Sequence, residues 1–519
     1  MYKKPLIPQL NGYGKNRREF ISACSRCTAL CALTPLAGIN CSTKRTAEPQ
    51  RTIRVIYSLH APQQPRTDWP NIGFDFVPVM QRFNTTLEKK YREFDFLYSQ
   101  ASGPEEAEKI LGEDNSTVVD GYIVFQLNCW NKVIQTFAKS GKPVLYVDFK
   151  YGGSGGFLRY TADMLRHNTA NVGFVSSSNM DDLVKAVKCF GQIGSADEFA
   201  AVTTRVRTKN TRKAGDMTVI SDNLETISSQ DCLAQMQDSK ILAIRDQSSG
   251  PANPIFNIPM ERVAFAEVND AWEKADKDES RVIAERWQNT ANQIIDVSFA
   301  ELEKSAAFYL GMKQVLKKHN ANAITINCLG GFNKGFIHAY PCLGFHELTN
   351  EGLVGACECD IRSTATMLAF SALSKGRPGY ISDPVIDTAK RQIIYAHCVA
   401  SNKVFGPNGP ANPFSIMTHS EDRNGASVRS VLPLGYLTTT LEILPKSKEI
   451  LIHQGKAVAN DPDDRACRTK LCVEPVGDIE KLFTMWDQWR WHRVTFYGDL
   501  KEPVYALADH IGWTVVEEA

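Results

Sequence analysis

Four short apolar, β-branched runs, TIRVIYSL (52–59), VDGYIVFQL (119–127), KPVLYVDF (142–149) and ANVGFVSS (170–177), alternate with charged stretches such as LEKKYREFDFLYSQ and GPEEAEKILGED. Near-continuous apolar strands separated by helix-forming segments predict a parallel sheet covered on both faces, because parallel neighbours need a crossover between them. This pattern assigns residues 48–178 to a first α/β unit. A second one is expected over 179–355, where DDLVKAVKCFGQIG has helical spacing, KILAIR reads as a strand, and 260–319 is a long charged helical region. NAITINCL (322–329) then reads as a buried strand running into a turn at Gly330 and Gly331.

The character changes after about residue 377. GYISDPVID, RQIIYAHCVAS, YLTTTLEILP and EILIHQGKAVA are strand-like with turn residues between them, which predicts an antiparallel barrel or sandwich. The expected architecture is therefore two Rossmann-like α/β domains followed by a mostly β, barrel-like C-terminal domain over 356–519. The tract YGGSGGF (151–157) lacks the spacing of a dinucleotide fingerprint and reads as a flexible loop.

Residues 1–47 stand apart from this pattern. NRREFISACSRCTALCALTPLAGIN places Arg17 and Arg18 ahead of a weakly apolar stretch with small residues after it, the layout of a twin-arginine export leader. That reading predicts a periplasmic protein. Arg26 interrupts the apolar stretch, which is the feature a disordered basic tail shares, and such a tail would leave the protein cytoplasmic. Gly38, Ile39 and Asn40 make a poor lipobox before Cys41. Four of the 14 cysteines lie in or beside this segment, and the other ten are scattered singly, which is not a disulfide framework. Unpaired thiols in an exported protein fit folding completed before export.

The 59 basic and 58 acidic side chains nearly cancel, so nothing in the charge balance favours nucleic acid as a partner. No run of 18 apolar residues follows the leader, so no ordinary membrane span is expected. A small neutral or locally charged ligand is the expected partner, and a homo-oligomer is left open.

Chemistry-bearing residues concentrate late in the chain. Eight of the ten histidines follow residue 318, among them His397, His419, His453 and His492. In GLVGACECDIRSTATM (352–367), a strand with a period of two would set Glu358 and Asp360 on one side and Cys357 and Cys359 on the other. The helix reading of IRSTATMLAFSALSKG makes Asp360 equally suitable as its N-cap or as a ligand.

The stretch AITINCLGG…AYPCLGFHELTNEGLVGACECDIRSTATMLAF…GRPGYISDPVID, followed by WHRVTFYGDLKEPVYALADHIGWTVVEE, resembles the L-fucose isomerase and L-arabinose isomerase superfamily, as a distant member. The resemblance implies two α/β domains, a barrel-like C-terminal domain, and a divalent metal held by two carboxylates and a histidine. The metal is expected to be Mn²⁺, with Mg²⁺ or Zn²⁺ as alternatives. Asp360 and His492 match two of the family's ligands. The family's other carboxylate has no counterpart in CLGGFNKG. Glu358 is the expected third ligand in its place, with His338, Glu421 or His397 able to reach the site from neighbouring loops.

The expected catalytic groups are therefore Glu358, Asp360, His397 and Glu421. Lys334, His338, Arg362, His419, Arg423, Arg468 and Lys470 are candidates for binding sugar hydroxyls or an acidic sugar. Aldose–ketose isomerisation is the reaction the resemblance implies. An exported glycoside-cleaving enzyme using paired carboxylates, or a non-catalytic sugar-binding protein, are the alternatives.

Overall fold

The computed structural model describes residues 51–519, so the leader reading at Arg17 and Arg18 lies outside the described residues. The first sheet is fully parallel, with spatial order Phe94–Ala101, Arg51–Ser58, Gly121–Gln126, Val144–Asp148, Val172–Val175. Its central strands are apolar on both faces for a visible reason. Ile53, Val55 and Tyr57 pack with Phe83 and Leu87 of the helix Val77–Lys90, whereas Ile56 and Val124 pack with Ile134, Phe137 and Phe157 of the helices on the other side.

YGGSGGF is not a loose loop. It opens the helix Ser154–Arg166, and its glycines are buried against the preceding strand ends. A Cβ at Gly153 would lie 2.0 Å from the Gln126 carbonyl oxygen, so glycine is what lets this helix approach the sheet so closely.

The second sheet runs Val354–Cys357, Ala323–Ile326, Ile241–Ile244, Ile258–Val263, Gly250–Ile255, parallel except for its last, antiparallel pair. The long charged region before it is not continuous helix. It begins in the strand Ile258–Val263, continues through the helices Phe265–Glu273 and Lys277–Thr290, and is broken by the strand Gln293–Ile295 before the helix Phe299–Lys318. Gly330 and Gly331 also belong to a helix rather than a turn, since Cys328–Asn333 is a short helix with the Asn327 side chain accepting the Gly330 N–H at its start.

The C-terminal domain is a closed antiparallel barrel. Its six strands follow the order Leu437–Leu444, Arg493–Tyr497, Tyr380–Asp387, Gln392–His397, Thr469–Pro475, Glu449–Asn460, and the last pairs back onto the first. Thr514–Glu517 adds alongside Glu449–Asn460. Closure leaves no exposed edge among the six strands. A small sheet of Ser427–Ser430, Phe414–Met417 and Gln293–Ile295 links the barrel region to the helical region before it. No helix among the described residues is long and apolar enough to cross a membrane.

Candidate metal centre

The strand Val354–Cys357 ends one residue before Glu358, and Glu358 and Cys359 both take left-handed backbone angles, φ 61° and 50°. Two such residues in succession rotate the chain and cancel the alternation expected of a strand. Glu358 and Asp360 therefore do not share a face by strand periodicity. Holding non-glycine residues there costs about 1–3 kcal/mol each, a strain that concentrates at functional sites.

Asp360 is the N-cap of the helix Ile361–Leu373, its Oδ1 accepting the backbone N–H groups of Arg362 and Ser363 at 3.1 and 3.2 Å. Its other oxygen, Oδ2, accepts from His492 Nδ1 at 3.0 Å. One carboxylate thus caps a helix and fixes a histidine ring. Although burial opposes ionisation, the His492 hydrogen bond and charge, with the Ser363 N–H, hold the Asp360 carboxyl well below the usual carboxylate range.

With Nδ1 engaged, His492 presents Nε2 to two further acids, Asp383 Oδ1 at 3.2 Å and Glu358 Oε2 at 3.5 Å. His397 comes from the neighbouring barrel strand with Nε2 3.9 Å from Glu358 Oε1, the two imidazole rings being 5.8 Å apart. Ligand atoms of Glu358, Asp383, His397 and His492 all lie within 4.8 Å of one another. Burial raises the Glu358 carboxyl to about 7, against the opposing pull of His492 and with Asp383 adding to it. His492 is also raised, for a different reason: burial alone would lower it, but Asp360 and Asp383 hold it well above the ordinary imidazole value.

These residues fit a divalent cation. The Nε2 atoms of His397 and His492 are buried and have no hydrogen-bond partner, which is costly unless something accepts them. Donors within 4.8 Å of one another are close to the span of about 4.4 Å that ligands about 2.2 Å from one ion can reach, so a small inward movement of the side chains would complete the sphere. His492 fits once its Nε2 proton gives way to the incoming cation: with Nδ1–H held by Asp360, the neutral ring offers an Nε2 lone pair, the carboxylate–histidine pairing common around bound metals. His397 fits on one condition. Its Nδ1 accepts the Cys398 N–H at 3.0 Å, so its Nε2 carries the proton in the neutral ring and must lose it to bind a cation.

The pocket above the cluster has a volume of about 570 Å³. Its lining follows the fold. Arg66–Trp69, Cys129 and Trp130, and Gly155 lie beyond the carboxyl ends of strands in the first sheet, and Leu329, Asn333 and Glu358 beyond those of the second. Ligand sites of α/β proteins gather at such ends. The barrel side adds Asp383, Trp491 and Glu421, and the Trp491 indole N–H donates to Asp383 Oδ1. Glu421 faces the pocket with no hydrogen bond to its carboxyl among the described residues. Burial, offset in part by His419 and reinforced by the carboxylates of Glu358 and Asp68, raises its pKa well above normal.

Of the residues the sequence singles out, Glu358, His397 and His492 come together, and Glu421 joins them across the pocket. The binding candidates fall elsewhere. Lys334 and His338 are exposed, His338 beside the Trp272 ring. Arg362 donates to the Trp489 carbonyl, His419 pairs with Asp422 at 3.0 Å, and Lys470 donates to the Asp463 carbonyl. Arg423 and Arg468 meet at Asp464 in a separate pocket. Asp383 is the residue that sequence reasoning misses. It is the first of two acids in the strand YISDPVID, and an acid enclosed by apolar strand neighbours is itself a signal, since a buried charge needs partners.

The two tasks of Asp360 separate on substitution. Asp360→Asn should leave the unfolding midpoint nearly unchanged, because asparagine caps a helix about as well as aspartate. It should still weaken divalent-metal affinity about 10–100-fold, the usual effect of removing a carboxylate that orients a ligand histidine. Metal titration of the variant beside its melting curve checks both, and an unchanged affinity would reduce Asp360 to a cap.

No protein-family model matches the chain. Curated proteins, among them the following three, share low identity with part of it. The sulfoquinovose isomerase of Alkalicoccus urumqiensis is 25% identical over 205 residues, 38% of this chain and 45% of that protein. That of Priestia aryabhattai is 26% identical over 211 residues (39% and 46%), and that of Clostridium sp. (strain MSTE9) 24% over 210 (39% and 45%). The chain therefore spans less than half the length of the relatives it matches.

Proposed function

We propose that the chain is a metal-dependent sugar isomerase that interconverts an aldose and a ketose in the pocket above Glu358, Asp383, His397 and His492. The observation that carries this reading is the four-residue group, three of its members buried and Glu358 half-buried, with two unpartnered imidazole nitrogens, at the floor of a pocket formed by strand ends. The relatives named as isomerases favour this reaction over glycoside cleavage. Two carboxylates and two imidazoles with no thiol among them suit Mn²⁺ first, with Mg²⁺ or Zn²⁺ as alternatives.

Isomerisation moves a proton between adjacent carbons while charge develops on the two oxygens they carry. A bound divalent cation supplies Lewis-acid polarisation of those oxygens. The proton carrier in this reading is Glu421, which faces the pocket and is free of protein hydrogen bonds. A carboxylate of raised pKa is the stronger base, suited to taking the proton from C2 and returning it to C1. Trp491 holds Asp383 in place through its indole N–H. Trp130, 45% exposed at the pocket, offers an apolar face for a sugar ring. Among the described residues Arg66 is the single cationic side chain lining the pocket, and it would face an anionic substituent such as the sulfonate implied by the relatives' substrate name.

The decisive experiment is an assay of metal-stripped and Mn²⁺-, Mg²⁺- and Zn²⁺-loaded protein on sulfoquinovose, neutral aldoses and glycosides. Aldose–ketose conversion that depends on added metal is expected, strongest with Mn²⁺. Glycoside cleavage without isomerisation, or no metal dependence, would overturn the reading. Chelation should also lower the melting temperature, and metal should restore it, because an ion bound only by the native state stabilises that state.

Export through the twin-arginine leader belongs to the same proposal. It is supported by the ten cysteines of the described region, all buried free thiols that need no oxidising compartment to fold. Replacing Arg17 and Arg18 with lysine should retain the protein in the cytoplasm on cell fractionation, and unaltered localisation would count against the leader.

A further inference from the structure

The loop joining Phe414–Met417 to Ser427–Ser430 carries Glu421 toward the metal pocket and Arg423 into a different one of about 620 Å³, lined by Thr418, Arg423, Asp464 and Arg468 among others. Three guanidinium groups converge there on one carboxylate. Arg423 Nη1 lies 2.9 Å from Asp464 Oδ2, Arg468 Nη1 pairs with Oδ1, and Arg429 Nη2 stands 3.8 Å from Oδ1, beyond hydrogen-bond range.

The arginines are built in, whereas the acid is not. Arg468 is 1% exposed and donates to the Thr418 carbonyl at 2.7 Å and hydroxyl at 3.2 Å, while the Asp464 side chain is 59% exposed. Arg429 donates its Nε to the Arg468 carbonyl at 3.1 Å, yet its Nη2 is buried with no hydrogen-bond partner. A buried, ionised donor left unpaired costs more than a neutral one, and nothing among the described residues accepts it. Among the described residues the pocket itself is lined by Arg423 and Arg468 with the acids Asp464 and Asp296, and Arg429 beside Asp464 adds a third cation.

We propose that Arg423, Arg429 and Arg468 form a binding site for a tetrahedral oxyanion, a phosphate or sulfonate group, for which Asp464 is a displaceable internal substitute. Guanidinium forks match such an anion bidentately, and a tetrahedral group offers the further acceptor oxygen that Arg429 Nη2 lacks. Burial, and then the Arg468 charge, lowers the pKa values of Arg423 and Arg429, in keeping with positive charge in excess of its acids. The site is coupled to the metal pocket by chain. Arg423 Nη2 also donates to Asn71 Oδ1, and next to Asn71 the Ile72 N–H donates to the Glu421 carbonyl at 2.7 Å. An anion that orders Arg423 therefore orders the loop that presents Glu421.

The test is calorimetric titration of the full chain with inorganic phosphate and with sulfate at constant ionic strength, with chloride as the control. One saturable site is expected, weakened roughly tenfold or more by Arg429→Gln, since one charge-assisted hydrogen bond of this kind is worth about that much. Asp464→Asn should tighten it, a change opposite in sign to any loss of folding, and Arg66→Gln should leave it unaltered, which separates this site from the metal pocket. Methylphosphonate against methanesulfonate then tells a phosphate ester from a sulfonated ligand. Absence of saturable binding, or affinity indifferent to both Arg429→Gln and Asp464→Asn, would overturn the proposal.

Discussion

His492→Ala should destabilise the metal-free protein by about 3–5 kcal/mol and abolish stoichiometric binding of a divalent metal. The size follows from what the imidazole leaves behind. Asp360, Asp383 and Glu358 all face this ring, at 3.0, 3.2 and 3.5 Å, and its removal leaves buried carboxylates facing one another without their cation. Breaking a buried ion pair from one side costs that much because the remaining charge has no water to turn to. Urea unfolding of chelator-treated wild type and variant measures the first effect, and elemental analysis the second. Adding Asp360→Asn to His492→Ala should recover part of that loss, since it neutralises one of the carboxylates that the missing ring leaves unpaired. An unchanged unfolding midpoint would show that the cluster is solvated and that the ring holds nothing together.

How much of this was legible in sequence depends on the range of the interaction. Strands with continuous apolar runs, such as Val55–Tyr57 and Ile241–Ile244, announce themselves because both faces are covered, and the barrel strands do so through β-branched residues between turns. Glu358, His397 and His492 stand out as polar groups at the ends of such runs. The backbone at Glu358 and Cys359 is another matter. Left-handed angles at two residues with side chains are set by tertiary packing, and no residue type there signals them, since glycine and asparagine are the usual occupants.

The same limit explains Asp383 and the arginines. Asp383 reaches the cluster only because the barrel strand Tyr380–Asp387 is carried up to the end of Val354–Cys357, a pairing of domains that no local pattern encodes. Arg423 and Arg468 share the loop-end placement of Glu421, and sequence alone assigned all three to one site. The structure turns them to opposite sides of the loop. At Gly425 the backbone has φ 61°, and a Cβ would lie 2.1 Å from the Tyr340 ring, so the loop reverses where only glycine fits. Arg423 itself is left-handed, φ 61°, two residues after Glu421, and the two side chains line different pockets.

Glu421→Gln should lower turnover on the aldose substrate about 10²–10⁴-fold while leaving metal content, melting temperature and KM close to those of the wild type. The magnitude is what a positioned proton carrier contributes, and glutamine keeps the shape while removing the titrating group. The pattern is what distinguishes Glu421 from its surroundings. Glu358→Gln or Asp383→Asn should lower metal content together with activity, because both residues belong to the four-residue group and Glu421 does not. A variant that loses turnover at full metal occupancy therefore isolates proton transfer from metal binding. Glu421 also accepts a backbone hydrogen bond from Ile72 through its carbonyl, a contact the substitution leaves intact, so the loop should keep its place. Turnover equal to wild type in metal-loaded Glu421→Gln would move the proton carrier to His397, whose Nε2 faces the same cluster, and a His397→Gln variant would then show the loss instead.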